Sequence, residues 1–198
     1  FLRIAYDVLK TVDNRNYGCL SGIGNESYLD ALLRYSDNPV DGSITPQYPY
    51  RGGAYFDCTS FHKYPHYELK EWNGNGFSFH RNSDAANDKL WDFQKSLDNR
   101  LSTYGYGKTL PAKVWNLTEF NIPRKAITVQ EGAHSISYIG SDEAQRNFMI
   151  KALVMGQRAG MAQMHLYALS DESGTGTEFK FMGLVDNLDG LKAYDYKT

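Results

Sequence analysis

The sequence VWNLTEFN, at residues 114–121, is an apolar run that ends on a carboxylate. Parallel strands in alternating βα folds are buried on both faces, so their sequences are almost continuously hydrophobic. The carboxyl-terminal ends of such strands face the substrate crevice. Glu119 lies at that end of the run, and we therefore expect it to be a catalytic carboxylate.

Two further segments show the same pattern of a predicted strand that ends in polar residues. A strand is predicted from Ala54 to Phe61 that continues into HKYPH, residues 62–66, and another from Met161 to Leu169. Side chains alternate across a strand with period two, so each strand presents one set of alternate residues to a common face. The sets are Phe56, Cys58, Ser60, His62 and Tyr64; Trp115, Leu117 and Glu119; and Met161, Gln163, His165 and Tyr167. We expect the polar residues that end these sets to converge.

Helical patterns separate the strands. Apolar residues recur at helical spacing from Leu2 to Val12 and again after Asn25, Ser83 and Ser141, which are residue types that cap helices. A short buried strand is predicted at residues 17–23. Residues 63–82 and the segment that follows β-strand 114–121 through Ser137 are predicted to be loops. The alternation predicts an α/β fold of parallel βα units in one domain, residues 1–198.

Loop lengths distinguish two architectures with this alternation. A four-stranded open, doubly wound sheet is one of them. The connections after the strands are long and aromatic, whereas those before them, such as residues 13–16 and 105–111, are short. This asymmetry favours the second half of an eight-stranded barrel, whose site is built from the loops after the strands.

Composition narrows the classes of function. The chain has 198 residues, 41% hydrophobic and 22% charged, as in ordinary globular proteins. A net charge of -2 and the lack of a basic run give no electrostatic reason to expect a nucleic acid or an anionic membrane as partner. No sequence run is long and apolar enough for a spanning helix. We expect no cofactor and no metal, and we expect Cys19 and Cys58 to be buried free thiols.

The order of four motifs resembles clan A glycoside hydrolases. These motifs are DCTSFHKYP at 57–65, WNLTEF at 115–120, LYALSD at 166–171 and GLV at 183–185. The resemblance covers nearly the whole chain and implies a TIM-barrel-like fold, strands five to eight of a retaining (β/α)8 barrel. It implies an oligosaccharide or polysaccharide substrate, a secreted or periplasmic location, and Glu119 as the nucleophile. The residues expected to contact sugar are His62, Tyr64, Trp72, His165 and Tyr167.

The chain departs from the family pattern in three respects. The acid/base Glu, preceded by Asn, would come before the first helix, strands one to four are missing, and Tyr167 or His165 replaces a Trp of strand eight. We therefore expect the amino-terminal half of the barrel, with the acid, on a separate or preceding segment.

Two other functions are consistent with the motifs. One is a carbohydrate-binding or structural barrel that does not hydrolyse its ligand. The other is a metal hydrolase that uses His62, His66, His80 and Asp171. The second is disfavoured because Pro65 breaks the helix that would align a pair of histidines.

Overall fold

The computed structural model describes residues 1–72, 77–79, 83–131, 133–138, 140–171 and 179–185. The α helices are α1 (Leu2–Val12), α2 (Glu26–Arg34), α3 (Ser83–Thr103) and α4 (Asp142–Arg158). The strands are β1 (Cys58–Lys63), β2 (Lys70–Trp72), β3 (Phe77–Phe79), β4 (Val114–Phe120), β5 (Ile127–Glu131), β6 (His134–Tyr138) and β7 (Met161–Leu166). Short 3-10 helices span Gly52–Tyr55 and Pro65–Leu69. None of the described helices is long and apolar enough to cross a membrane.

The chain divides into two compact units. The first consists of Phe1–Lys63, Trp91–Glu119 and Gly156–His165 and contains almost all of a three-stranded parallel sheet in the order β1-β4-β7. The second consists of Tyr64–Leu90, Phe120–Met155 and Leu166–Thr198 and contains two β hairpins.

The predicted strand at residues 17–23 runs beside β1. Cys19 and Ile23 form parallel bridges with Cys58 and Phe61, and the Ile23 N–H donates to the Ser60 carbonyl at 2.9 Å. The segment forms isolated bridges and not a continuous strand. Cys58 is buried but Cys19 is exposed, so the prediction of two buried thiols is wrong for Cys19. Together with the sheet, this arrangement is compatible with part of a TIM-barrel-like fold. The assignment to strands five to eight and the single domain stay predictions.

The predicted amino-terminal caps of α2 and α4 are confirmed. The Asn25 side chain accepts from the Ser27 N–H and begins α2, and the Ser141 hydroxyl accepts from the Ala144 N–H at 3.1 Å at the start of α4. Gly160, which follows α4, has φ +71°, a left-handed value that glycine adopts without a steric penalty.

The face of the sheet on which Trp115 lies differs from the predicted one. The Phe61 ring packs edge to face on Phe93 of α3 and on Trp115 of β4, with both centroid distances 6.0 Å. Since consecutive strand residues point to opposite faces, His62 points away from Phe61. The prediction that Trp115 shares a face with His62 is therefore wrong, because the Trp115 ring belongs to the core beneath α3. Strict alternation along β4 would place Glu119 on the same face as Trp115, so the convergence of Glu119 with His62 stays a prediction.

Both predicted loops contain hairpins. β2 pairs with β3 and β5 pairs with β6, both antiparallel, and these pairings contradict the loop predictions for residues 63–82 and for the segment through Ser137. Each hairpin forms a two-stranded sheet of its own, outside the parallel sheet. It therefore needs no long apolar run, which is the signal that identifies strands buried in the parallel sheet.

Candidate active site

His62 lies in a slot between two glycines at the carboxyl-terminal edge of the sheet. A Cβ at Gly22 would collide with His62 Nδ1 and lie 2.7 Å from Thr118 Oγ1. A Cβ at Gly24 would lie 2.9 Å from His62 Nε2. These distances are shorter than side chains tolerate, so the imidazole can approach the backbone this closely only because both positions are glycine.

Thr118 fixes the end of β4 against β1. Its hydroxyl donates to the Phe61 carbonyl at 2.8 Å, and its side chain shares the Gly22 surface with His62. Glu119 follows directly and is half-buried. The candidate nucleophile thus comes immediately after a residue that is anchored to the neighbouring strand.

In the second unit, the structure brings two predicted sugar contacts together. The rings of Tyr64 and Tyr167 lie 5.9 Å apart, and Phe179 lies 4.9 Å from Tyr64 and 6.1 Å from Tyr167. All three pairs are edge to face, the arrangement that aromatic quadrupoles favour. The buried His66 ring lies 6.3 Å from Tyr64. This aromatic cluster presents ring surfaces of the kind on which a pyranose stacks.

A buried amide network links the residues after β4 to the Tyr167 backbone. Asn121, which is 0% exposed, donates to the carbonyls of Tyr167 and Met182 and accepts from the Ile122 N–H at 2.7 Å. Gln145 of α4 donates to Asn121 Oδ1 at 3.2 Å. The network holds the segment that follows Glu119 and the segment that carries Tyr167 in one arrangement within this unit.

Asp171 forms a buried ion pair with Arg124. Arg124 Nε donates to Asp171 Oδ1 at 3.1 Å and its Nη2 donates to Oδ2, while the Gly183 N–H donates to Oδ1 at 3.0 Å. The carboxylate is thereby occupied, which argues against Asp171 as a metal ligand. Among the described residues, no group of three or more His, Cys, Asp or Glu side chains could hold a metal. His80 lies outside the described residues.

The two remaining predicted sugar contacts are His165 and Trp72. His165 is exposed on β7, and its Nε2 lies 3.4 Å from Gln163 Oε1. The Trp72 backbone pairs with Phe77 in a hairpin, and its ring lies outside what the structure describes.

Sequence reasoning missed several residues that surround the predicted ones. They are Gly22, Gly24, Thr118, Asn121 and Phe179. The GIG sequence at 22–24 is a usable signal, because glycine directly after a strand often marks a close approach to the backbone. Phe179 carries no such signal, since it shares no described strand or helix with Tyr64 or Tyr167.

Comparisons with known proteins found similarity to solved structures alone. No protein-family model and no curated protein sequence matches the chain. One match is a calcium-binding mutant of Bacteroides uniformis β-glucuronidase 2, with 15% identity and a TM-score of 0.50. The alignment covers 93% of this chain and 17% of the β-glucuronidase chain. Dictyoglomus thermophilum β-D-glucuronidase matches 93% of this chain and 25% of its own, with 11% identity and a TM-score of 0.49. An active-site mutant of Rhizomucor miehei β-1,3-glucanosyltransferase, solved with laminaritriose, matches 73% of this chain and 44% of its own, with 14% identity and a TM-score of 0.46.

The first of these similarities shows a shared glycoside hydrolase-like α/β fold. At 15% identity it concerns the fold alone. The chain spans less than half of the length of each of these three structures.

Proposed function

We propose that the chain forms the carboxyl-terminal half of the (β/α)8 barrel of a retaining glycoside hydrolase, with Glu119 as the nucleophile. The observation that carries the proposal is the position of Glu119, half-buried at the carboxyl-terminal edge of the central strand β4. The shared fold with Bacteroides uniformis β-glucuronidase 2 supports a barrel. In barrel enzymes this edge carries the catalytic residues.

The proposed reaction has two steps. The Glu119 carboxylate attacks the anomeric carbon while a carboxylic acid about 5 Å away protonates the departing glycosidic oxygen. The resulting glycosyl ester is then cleaved by a water molecule, from which the same second residue, now a carboxylate, takes a proton. We assign that acid/base residue to the amino-terminal half of the barrel.

Neighbouring side chains would keep the Glu119 carboxylate ionised and oriented and would contact the sugar. A hydrogen bond donated by the Tyr64 hydroxyl would favour the ionised form of Glu119 and orient it. His62 would hold a sugar hydroxyl or a carboxylate, since the slot between Gly22 and Gly24 fixes its ring. Tyr64 and Tyr167 would provide the wall of a sugar subsite, with Trp72 and His165 as further contacts.

Exposed apolar surface supports the existence of the other half. The apolar side of α1, which includes Ile4, Val8 and Val12, is exposed by 60% or more. β7 ends the described sheet, and its residues Ala162, Gln163 and His165 are exposed. Closing a barrel would pair the β7 backbone and cover such a helix.

The deciding experiment compares Glu119→Gln with Glu143→Gln in the full-length protein. Glu143 lies exposed in the first turn of α4 and serves as the matched control. We expect Glu119→Gln to lower kcat on an activated aryl glycoside by at least about a thousandfold, because the amide cannot attack the anomeric carbon. Oligosaccharide affinity should change little, since the amide keeps the shape of the carboxylate.

Mass spectrometry tests the retaining mechanism directly. A 2-deoxy-2-fluoro glycoside with a good leaving group should trap a covalent adduct on Glu119 and not on Glu143. A Glu119→Gln variant with wild-type kcat, or an adduct on another residue, would show that the nucleophile is assigned wrongly.

A non-catalytic sugar-binding barrel is the second candidate. The observation that favours it is the Arg124–Asp171 ion pair, which occupies another carboxylate that the sequence places after a strand end. If the full-length wild type binds oligosaccharides but cleaves neither these nor an activated glycoside, this candidate replaces the first.

A further inference from the structure

A cleft of about 780 Å³ opens in the first unit, at the opposite edge of the sheet from the candidate active site. Asp57, immediately before β1, and Val114, the first residue of β4, both line it. Because the strands are parallel, this is their amino-terminal edge. Glu119 lies five residues further along β4, which corresponds to about 17 Å at roughly 3.3 Å per residue. The cleft is therefore a separate site.

The one acidic side chain among the described lining residues is already neutralised. The lining contains four basic side chains, Lys10, Arg15, Arg51 and Lys113, and the acid Asp57. Asp57 accepts hydrogen bonds from the Tyr6 hydroxyl and the Gly18 N–H, each at 2.9 Å, and pairs with Lys10 Nζ at 2.9 Å. Burial raises the pKa of Asp57, but the hydrogen bonds from Lys10, Gly18 and Tyr6 outweigh it and keep the pKa below its usual value. The Asp57 carboxylate is thus already hydrogen-bonded and paired with a cation.

Lys113 lines the cleft, is half-buried, and has neutral hydrogen-bond partners. Its Nζ donates to the carbonyls of Gly53, at 2.8 Å, and Phe56. It also lies 4.4 Å and 4.5 Å from the ring centroids of Phe56 and Tyr106. Burial lowers the pKa of Lys113 to about 8, against the attraction of Asp57. An anion bound beside this group would recover part of the lost hydration energy.

The mouth of the cleft combines aromatic rings with positive charge. Tyr17 and Tyr50 are 65% and 60% exposed and both line the cleft, so their rings are available for stacking. Arg15 is paired with Asp13 at 2.7 Å, whereas no ion pair of Arg51 is found within the described part of the chain. Arg51 is exposed and carries a planar guanidinium, which suits bidentate binding of a carboxylate.

We propose that this cleft binds a ring compound that bears a carboxylate. Arg51 and Lys113 hold the carboxylate, and the exposed Tyr50 ring stacks on the ring of the ligand. Acidic sugars and aromatic acids share this chemistry, and the volume of the cleft suits a ligand of about disaccharide size. The site does not depend on Glu119 or on glycoside hydrolysis.

Calorimetric titration of the full-length protein with three probes tests the proposal. The probes are digalacturonate, 3-phenylpropionate and the neutral disaccharide cellobiose. At least one acid should bind to this cleft, and the tighter of the two identifies the source of the ring. Cellobiose should bind at least about tenfold more weakly than the preferred acid at this site. Failure of both acids to bind up to about 10 mM overturns the proposal.

Variants locate the binding. Arg51→Gln and Tyr50→Ala should each weaken binding of the acid by at least about tenfold. The matched controls are Lys108→Gln and Tyr28→Ala, which alter an exposed cation and an exposed tyrosine outside the cleft lining. Glu119→Gln should bind the acid normally. If Arg51→Gln and Lys108→Gln bind equally well, or if Glu119→Gln abolishes binding, the acid does not occupy this cleft.

The Lys113 ammonium gives a spectroscopic check that does not depend on affinity. Saturation with the acid should raise the pKa of Lys113, measured by NMR from its Cε resonance, because a nearby anion favours the charged amine. Cellobiose should leave this pKa unchanged. An unchanged Lys113 pKa at saturation with the acid contradicts the proposed position of the carboxylate.

Discussion

Replacing Asn121 by Leu should destabilise the second unit more than its single amide group suggests. The substitution removes donors to the Tyr167 and Met182 carbonyls and the acceptor for the Ile122 N–H. Met182 keeps a hydrogen bond from Gln145 Nε2 at 3.4 Å. The Tyr167 carbonyl and the Ile122 N–H lose their partners in this network. Each buried polar group left unsatisfied costs roughly 1–3 kcal/mol, so we expect a loss of about 2–6 kcal/mol in unfolding free energy.

Asn116→Leu is the matched control. It replaces the same residue type in the same stretch of the chain, at 6% exposure, but the Asn116 side chain donates to the weak acceptor Cys19 Sγ at 3.4 Å. We expect a loss of no more than about 1 kcal/mol for this variant. Urea denaturation of both variants at an unchanged m value gives the two free energies.

Hydrogen exchange localises the effect. The Ile122 amide should exchange faster in Asn121→Leu than in wild type, because its acceptor is gone, and the amides of β1 should be less affected. Equal stability of Asn121→Leu and Asn116→Leu, or an unchanged Ile122 exchange rate, would refute the assignment of these hydrogen bonds as the main support of this region.

Two further predictions concern titration in the first unit. Lys113, whose pKa burial lowers from 10.5 to about 8, should titrate by NMR well below the other lysines. The cost of its buried charge is present below pH 8 and is relieved as pH rises from 8 towards 10.5, so its contribution to stability improves across that window; a Lys113 midpoint above 10 would contradict this. Cys58, whose pKa is raised to about 12 by burial and then by Cys19, should react with iodoacetamide at about pH 8 far more slowly than the exposed Cys19. Because the unfolded thiol ionises first, the Cys58 contribution to stability falls above about pH 9; equal labelling rates of the two cysteines in the folded protein would disprove the burial argument.

Much of the secondary structure could be predicted from the sequence because it depends on local patterns. The four helices follow from apolar spacing and from caps such as Asn25 and Ser141, whose hydrogen bonds are made within their own first turn. The β4 strand follows from its apolar residues Val114, Trp115, Leu117 and Phe120. Hairpins β2-β3 and β5-β6 were missed because short antiparallel pairs carry no such run.

The candidate site also has features that the sequence predicts and features that depend on tertiary contacts. Sequence pattern alone predicted strands that end near Glu119 and near His62, because a strand is defined by residues adjacent in the chain. The predicted start of the second strand at Ala54 is wrong, since a 3-10 helix spans Gly52–Tyr55 and β1 begins at Cys58. Only tertiary structure decided that Trp115 belongs with Phe61, that Gly22 and Gly24 make room for His62, and that Phe179 joins the tyrosine cluster. Such contacts join residues far apart in sequence, and they depend on how closely two packed segments approach, a distance that no periodicity encodes.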